Sequence, residues 1–149
     1  MLRKRTQARE CALQILYQYE MNPEPMPDIL KKFWPQQDET FPEEIRGFAE
    51  KLVLGTIEHQ TEIDKVIERY ADNWELSRMA MIDRNIMRFA TYELLYLADV
   101  PPKVTLNEAV NLAKKFSQEE SGKFVNGVLD KINHTEKPKI AKAHDSSDA

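Results

Sequence analysis

The chain has 149 residues, 42% of them hydrophobic and 31% charged, and its formal net charge is −4. This length and balance are typical of one soluble globular domain, and the negative charge excludes a globally basic nucleic-acid binder. The single cysteine excludes an internal disulfide framework, and no apolar run approaches the roughly 18 residues of a membrane span, so we expect a cytoplasmic protein.

A basic arm opens the chain. Its cations, Arg3, Lys4, Arg5 and Arg9, come before or among the first acidic residue, Glu10. Such an arm neutralises RNA phosphates in some proteins and is simply solvated in others. The arm alone therefore favours RNA binding only weakly.

The first helix is predicted from about Gln7 to Glu20, with Thr6 as its N-cap. Its apolar stripe recurs at helical spacing and consists of Ala8, Ala12, Ile15, Leu16 and Tyr19. Gln14 lies on the opposite, polar row, where it is able to hydrogen-bond bases or phosphates. Without further evidence, the same row is more typical of an ordinary solvated helix face.

Three further helical patterns occupy the middle of the chain. They cover about 28–33, about 42–58 and a segment that carries Ile63, Val66 and Ile67. A connector of mixed composition around Trp74 is predicted to separate this N-terminal group from a C-terminal set of helices. We count about seven helices and no alternating strand pattern, which predicts an all-α fold.

The C-terminal set begins with a helix predicted over about 84–98, for which Asp83 is the expected N-cap. Apolar residues cover most of its circumference, which predicts a central helix with neighbours on several sides. Glu93 lies on the apolar stripe, where an ionised carboxylate is costly unless it is paired. We expect either a structural ion pair with an arginine of a neighbouring helix or a polar contact to a partner.

Two more helices complete the predicted domain. Thr105 opens a capping box for the first of them after two consecutive prolines, and Ser117 opens a second box for the last helix. Beyond this helix the sequence lacks apolar periodicity and ends in small polar residues. We therefore predict a folded domain over residues 1–134 and a disordered tail over 135–149.

Three segments carry a family resemblance. They are RTQARECALQILYQYE near the N-terminus and, in the C-terminal half, YELLYLADVPPKVTLNEAVNLAKKF and SGKFVNGVLDKI. In this order they resemble the bacterial transcription antitermination family NusB, and they cover roughly half of the chain, which is far more specific than a short motif. The resemblance implies an all-α, NusB-like RNA-binding domain of two packed helical subdomains.

The resemblance also implies a regulator of transcription elongation rather than an enzyme. Members of the family bind the boxA element of nascent RNA together with NusE, a protein of the small ribosomal subunit. With other Nus factors and RNA polymerase, the heterodimer promotes read-through of terminators, especially in ribosomal RNA operons. No phosphate loop, nucleophile–base set or metal-ligand spacing stands out in the sequence, so we expect no cofactor and no metal.

The candidate contact residues combine the basic arm with the matched segments. For RNA they are Arg3, Lys4, Arg5, Arg9, Gln14, Lys123, Phe124 and Asn126. For NusE they are Tyr17, Glu20, Arg84, Arg88, Tyr92 and Glu93. Phe124 and Asn126 lie about 160° apart on an ideal helix, so Phe124 is equally typical of a core residue. Each NusE candidate is equally typical of helix packing or solvated surface.

Two other protein classes stay open at this point. One is a helical adaptor that binds protein without specific RNA binding. The other is the NusB-like domain attached to some ribosomal RNA methyltransferases, which we disfavour because the chain lacks room for a catalytic domain with its glycine-rich cofactor loop. The sequence does not decide whether the protein forms a homodimer.

Overall fold

Seven α-helices make up most of the chain that the computed structural model describes, which comprises residues 3–37, 42–72 and 75–139. They are α1 (Lys4–Met21), α2 (Met26–Phe33), α3 (Glu43–Glu58), α4 (Gln60–Tyr70), α5 (Met81–Tyr96), α6 (Pro102–Phe116) and α7 (Glu119–Thr135). Short 3-10 turns follow α2 and precede α5, and these described segments contain no strand. The predicted all-α fold with about seven helices is confirmed. None of the described helices is long and apolar enough to cross a membrane.

The helices form two compact units, Met1–Glu58 and His59–Ala149. In the first unit, α1 packs against α2 and α3, whereas in the second α5 contacts α4, α6 and α7. The predicted separation near Trp74 is therefore wrong, because α4 belongs to the second unit; Trp74 itself lies outside the described residues. Composition could not reveal that the apolar stripe of α4 packs against helices that follow it in the chain.

Helix α5 is the central helix of the second unit, as its apolar circumference predicts. Ile86, Met87 and Phe89 are buried at different angles around its axis, and the helix contacts α4, α6 and α7. Burying side chains of this size stabilises the fold by roughly 2 kcal/mol each. The packing of α5 therefore determines which polar residues of this helix reach solvent.

The four predicted helix caps are wrong. Helices α1, α5 and α6 begin before the expected cap and α7 begins after it. Their N-cap positions are instead Arg3, Ala80, Pro101 and Gln118, and none of these forms a side-chain cap hydrogen bond. Pro102 occupies the first turn of α6, where its missing N–H needs no partner and its fixed φ suits the helix. Two of the polar side chains make tertiary contacts instead: Thr105 donates to Glu93 and Asp83 accepts from Ser121.

The segment after α7 runs back along α4. The Glu136 carboxylate accepts hydrogen bonds from Arg69 at 3.0 Å and from the Tyr70 hydroxyl at 2.6 Å. The Lys139 N–H donates to the Leu95 carbonyl at 2.7 Å. Thr135, the first residue of the predicted tail, lies within α7, and these contacts attach residues 136–139 to the second unit. The rest of the predicted tail, residues 140–149, lies outside the described residues.

The buried thiol of Cys11 provides a test of the packing of α1. Burial, with a smaller contribution from the charge of Glu10, raises the pKa of Cys11 to about 11. We predict that at about pH 8 a disulfide reagent modifies the native thiol roughly a hundredfold more slowly than the thiol of the unfolded chain, because the thiolate is the nucleophile. The measurement is the reaction rate with and without guanidinium.

The pH dependence of the Cys11 reaction has a defined sign. Because its pKa is raised, the thiol of Cys11 holds its proton more tightly in the folded state than in the unfolded state. The resulting contribution to the free energy of unfolding is complete below the ordinary thiol pKa of 9.0 and is lost as the pH rises through about 11. The native and denatured reaction rates should therefore converge as the pH increases. Equal rates at about pH 8 would contradict the burial of Cys11.

Candidate nucleic-acid interface

The basic arm lies at the start of α1, and its first three cations, Arg3, Lys4 and Arg5, are exposed. Arg3 directly precedes the helix, and the Lys4 ammonium lies 2.7 Å from a carboxylate oxygen of Glu44 on α3. The hydrogen bond and the charge of Lys4 lower the pKa of Glu44. An exposed ion pair of this kind contributes little free energy, so Lys4 is able to exchange Glu44 for an RNA phosphate.

The ring of Phe48 contacts two arginines of the arm in different environments. The guanidinium carbons of Arg5 and Arg9 lie 4.3 and 5.3 Å from the ring centroid. Arg5 is exposed, whereas Arg9 is only 1% exposed. Because a buried guanidinium cannot reach a phosphate without leaving its packing, Arg9 is suited to support α1 rather than to contact RNA. The sequence pattern did not distinguish these two arginines.

Three further candidate residues lie along α1. Gln14 and Tyr17 are exposed, and Glu20 is half-buried. An exposed tyrosine supplies apolar area and a hydroxyl, which makes Tyr17 a suitable anchor for a protein partner. These residues of the first unit therefore have the accessibility that their predicted roles require.

The RNA candidates of the second unit lie in the first turns of α7. Lys123 and Asn126 are exposed, Phe124 is half-buried, and the neighbouring Val125 is fully buried. The core stripe of α7 thus passes beside Phe124 without including it. The half-buried ring combines a fixed position with an accessible surface, and nucleobases stack on aromatic rings of this kind.

Two clefts in the second unit have Phe124 as a shared wall. One has a volume of about 350 Å³ and lies where the first turns of α5 and α7 meet, with Asp83 and Ser121 in its lining. The other has a volume of about 220 Å³ and is lined by Lys123, Gly127 and Lys131, among others.

The smaller cleft was not predicted from the sequence, although the spacing of its residues along α7 points to it. Gly127 lines this cleft, and a Cβ atom added to it would meet nothing within 4 Å. Phe124, Gly127 and Lys131 follow one another at helical spacing, which places them on one side of α7. That spacing would have identified Lys131 as a further cation beside Phe124.

The two arginine candidates on α5 form contacts within the second unit. Arg88 makes a two-pronged ion pair with Asp64 of α4, with N–O distances of 2.9 and 3.2 Å. Arg84 donates to the backbone carbonyl groups of Leu76 and Met79 at 3.3 and 3.0 Å. Both guanidinium groups therefore help to hold α5 against the segments around it, which corresponds to the helix-packing alternative.

The remaining two candidates on α5 are buried. The ring of Tyr92 stacks on that of His59 with 6.1 Å between the centroids. Glu93 is 0% exposed, and its carboxylate accepts a hydrogen bond of 2.9 Å from the hydroxyl of Thr105 on α6. Glu93 therefore makes a buried polar contact inside the unit, and the structure does not present it at the surface to a partner.

Across residues 3–37, 42–72 and 75–139, no group of three or more His, Cys, Asp and Glu side chains could hold a metal ion.

Comparison with known proteins gives consistent matches along the chain. A model of the NusB family matches residues 6–134. The transcription antitermination protein NusB of Thermodesulfovibrio yellowstonii is 47% identical over 137 residues, which cover 87% of this chain and 91% of that protein. The structure of T. maritima NusB has a TM-score of 0.82 at 38% identity, with 93% of this chain and 96% of that chain covered.

A second solved structure is similar to this chain and contains further components. It is a crystal structure of the antitermination factors NusB and NusE in complex with double-stranded RNA. The matched chain has a TM-score of 0.80 at 31% identity, with 90% of this chain and 98% of that chain covered.

Proposed function

This chain belongs to the NusB family, and we propose that it is a transcription antitermination factor that binds boxA RNA together with NusE. In this role it joins other Nus factors on RNA polymerase and promotes read-through, especially in ribosomal RNA operons. The observation that carries the proposal is the start of α7, a segment within the family match, where Lys123 and Asn126 are exposed and Phe124 borders two open clefts.

The proposed RNA contacts divide the work by chemistry. Arg3, Lys4 and Arg5 attract phosphates through charge, which raises affinity without reading the sequence. On α7, Lys123 and Asn126 supply hydrogen-bond donors, and Phe124 supplies a ring on which a base stacks. Gln14 is a further polar contact on α1, and Arg9 supports the arm from inside the first unit.

The proposed NusE surface is centred on the accessible residues of α1. Tyr17 and Glu20 contact the partner directly, because both retain accessible surface. Arg84, Arg88 and Tyr92 act indirectly, since their internal contacts position the surface of α5.

We further propose that the protein is a non-catalytic regulator that acts in the cytoplasm, where RNA polymerase works.

A binding titration tests the proposed function. A labelled boxA RNA and a scrambled RNA of equal length are titrated with the full chain, with and without NusE, at two salt concentrations. We expect boxA to bind more tightly than the scrambled RNA, NusE to increase that preference, and added salt to weaken binding. Equal and weak binding of both RNAs in the presence of NusE would contradict the proposal and favour the helical adaptor.

A further inference from the structure

The smaller cleft of the second unit contains an ion pair between two of its lining residues. Lys131 of α7 and Asp72, which follows α4, both line this cleft, and the ammonium nitrogen lies 2.6 Å from Oδ2 of the carboxylate. We infer that Lys131 binds an RNA phosphate and that Asp72 competes with this phosphate for the ammonium group, which limits the affinity for RNA. The inference rests on the proposed function, because it requires RNA at the start of α7.

Lys131 lies on the same side of α7 as Phe124. The two residues are seven positions apart in the chain, which on an ideal helix separates them by about 10 Å along the axis and by only about 20° around it. Phosphates of one helical strand follow each other at about 3.4 Å, so a strand with a base on Phe124 reaches Lys131 within about three phosphates. Gly127 lies between them and lines the same cleft without a side chain. The cleft therefore offers a path from the ring to Lys131.

Asp72 is placed by a backbone conformation that its residue type disfavours. Helix α4 ends at Tyr70 with Ala71 as its C-cap, and Asp72 follows with a φ of 35°. Among residues 3–37, 42–72 and 75–139, it is the one non-glycine residue with a positive φ. Glycine, and sometimes asparagine, is usual at this position after a helix, because a Cβ atom disfavours the left-handed region. Such an outlier calls for an explanation in its side chain, and that side chain contacts Lys131.

The ion pair between Asp72 and Lys131 is weak enough to be exchanged. Their side chains are 77% and 50% exposed, and ion pairs this accessible contribute little free energy because water and salt screen the charges. An RNA phosphate offers Lys131 the same kind of partner and also releases condensed counterions, which favours the exchange at low salt. The displaced carboxylate stays beside the strand and repels it. Asp72 therefore opposes RNA binding both through the pair that breaks and through the charge that remains.

Replacing Lys131 tests the phosphate contact in the full chain with NusE and boxA RNA. Lys131→Ala should lower the slope of log affinity against log salt by about 0.7, the contribution of one phosphate contact to a single strand. We take this contribution to vanish near 1 M salt, so binding should be about fivefold weaker at about 0.1 M salt. Fluorescence anisotropy at several salt concentrations measures both quantities. The variant should fold, because Lys131 is exposed and the Tyr70 hydroxyl still attaches the end of α4 to Glu136.

Replacing Asp72 should have the opposite effect. Asp72→Asn keeps the size of the side chain and suits the left-handed conformation, but it removes the charge. We expect RNA to bind about threefold more tightly, because no ion pair breaks and no carboxylate remains beside the strand. In the Lys131→Ala background this gain should fall below about twofold, since only the repulsion is left to remove. Asp28→Asn removes an exposed carboxylate from α2 and should leave RNA affinity unchanged.

The outcomes distinguish failure of the inference from failure of the proposed function. If the wild type prefers boxA but Lys131→Ala leaves the salt slope unchanged, or Asp72→Asn strengthens binding equally in both backgrounds, the inference alone is overturned. It is also overturned if Lys131→Ala weakens NusE binding in the absence of RNA, because the ammonium group would then contact an acidic group of the partner. If the wild type with NusE does not distinguish boxA from scrambled RNA, the proposed function is overturned and the inference falls with it.

Discussion

Replacing Glu93 by alanine is expected to lower the free energy of unfolding by about 3 kcal/mol. Glu93 is 0% exposed and Thr105 is 1% exposed, and their hydrogen bond joins α5 to α6. Glu93→Ala would leave the Thr105 hydroxyl without this acceptor and create a cavity beside the central helix. Thermal and urea unfolding, followed by circular dichroism, measure the loss. The folded variant should bind boxA RNA as the wild type does.

Conservative substitutions at the same contact serve as controls. Glu93→Gln keeps the volume and an acceptor oxygen, so it should be clearly less destabilising than Glu93→Ala. Thr105→Val removes the hydroxyl with little change in shape, and its effect should shrink when Glu93 is already alanine, because the two side chains share one interaction. If Glu93→Ala instead left stability unchanged and weakened NusE binding, the assignment of Glu93 to internal packing would be wrong.

Removal of the three exposed cations of the arm is expected to have the largest effect on RNA affinity. In the triple variant Arg3→Ala, Lys4→Ala and Arg5→Ala, the slope of log affinity against log salt should decrease by about two, since each phosphate contact to a single strand contributes about 0.7. We take the contribution of the three cations to RNA affinity to vanish near 1 M salt. A decrease of about two in the slope then corresponds to a roughly hundredfold loss of affinity at about 0.1 M salt. Fluorescence anisotropy at several salt concentrations measures both quantities.

Two controls separate local contacts from net charge in this experiment. The triple variant Lys31→Ala, Lys51→Ala and Lys65→Ala removes the same charge from exposed positions on α2, α3 and α4, and should change the slope much less. Arg9→Ala should reduce stability without changing the slope, because Arg9 is buried against Phe48. An unchanged slope after removal of the arm would show that Arg3, Lys4 and Arg5 do not bind phosphates.

Gly127 and Phe124 show how far local pattern reaches into the candidate site. The sequence places both residues on one amphipathic helix. It leaves open whether Phe124 belongs to the core, because helical spacing does not reveal how far the neighbouring helices extend. The packing of α7 leaves Phe124 half-buried between two clefts, and this position makes a stacking role physically accessible.

The sequence by itself determined the all-α class, the approximate helices and the central position of α5, because these depend on the periodicity of apolar residues along one segment. Only the tertiary structure decided that Arg9 is buried, that Thr105 and Asp83 serve tertiary contacts instead of caps, and that the first unit ends at Glu58. The physical reason is that a polar side chain takes its partner from whichever element packs against it. That partner is distant in sequence, as Ser121 is from Asp83, and no local pattern encodes it.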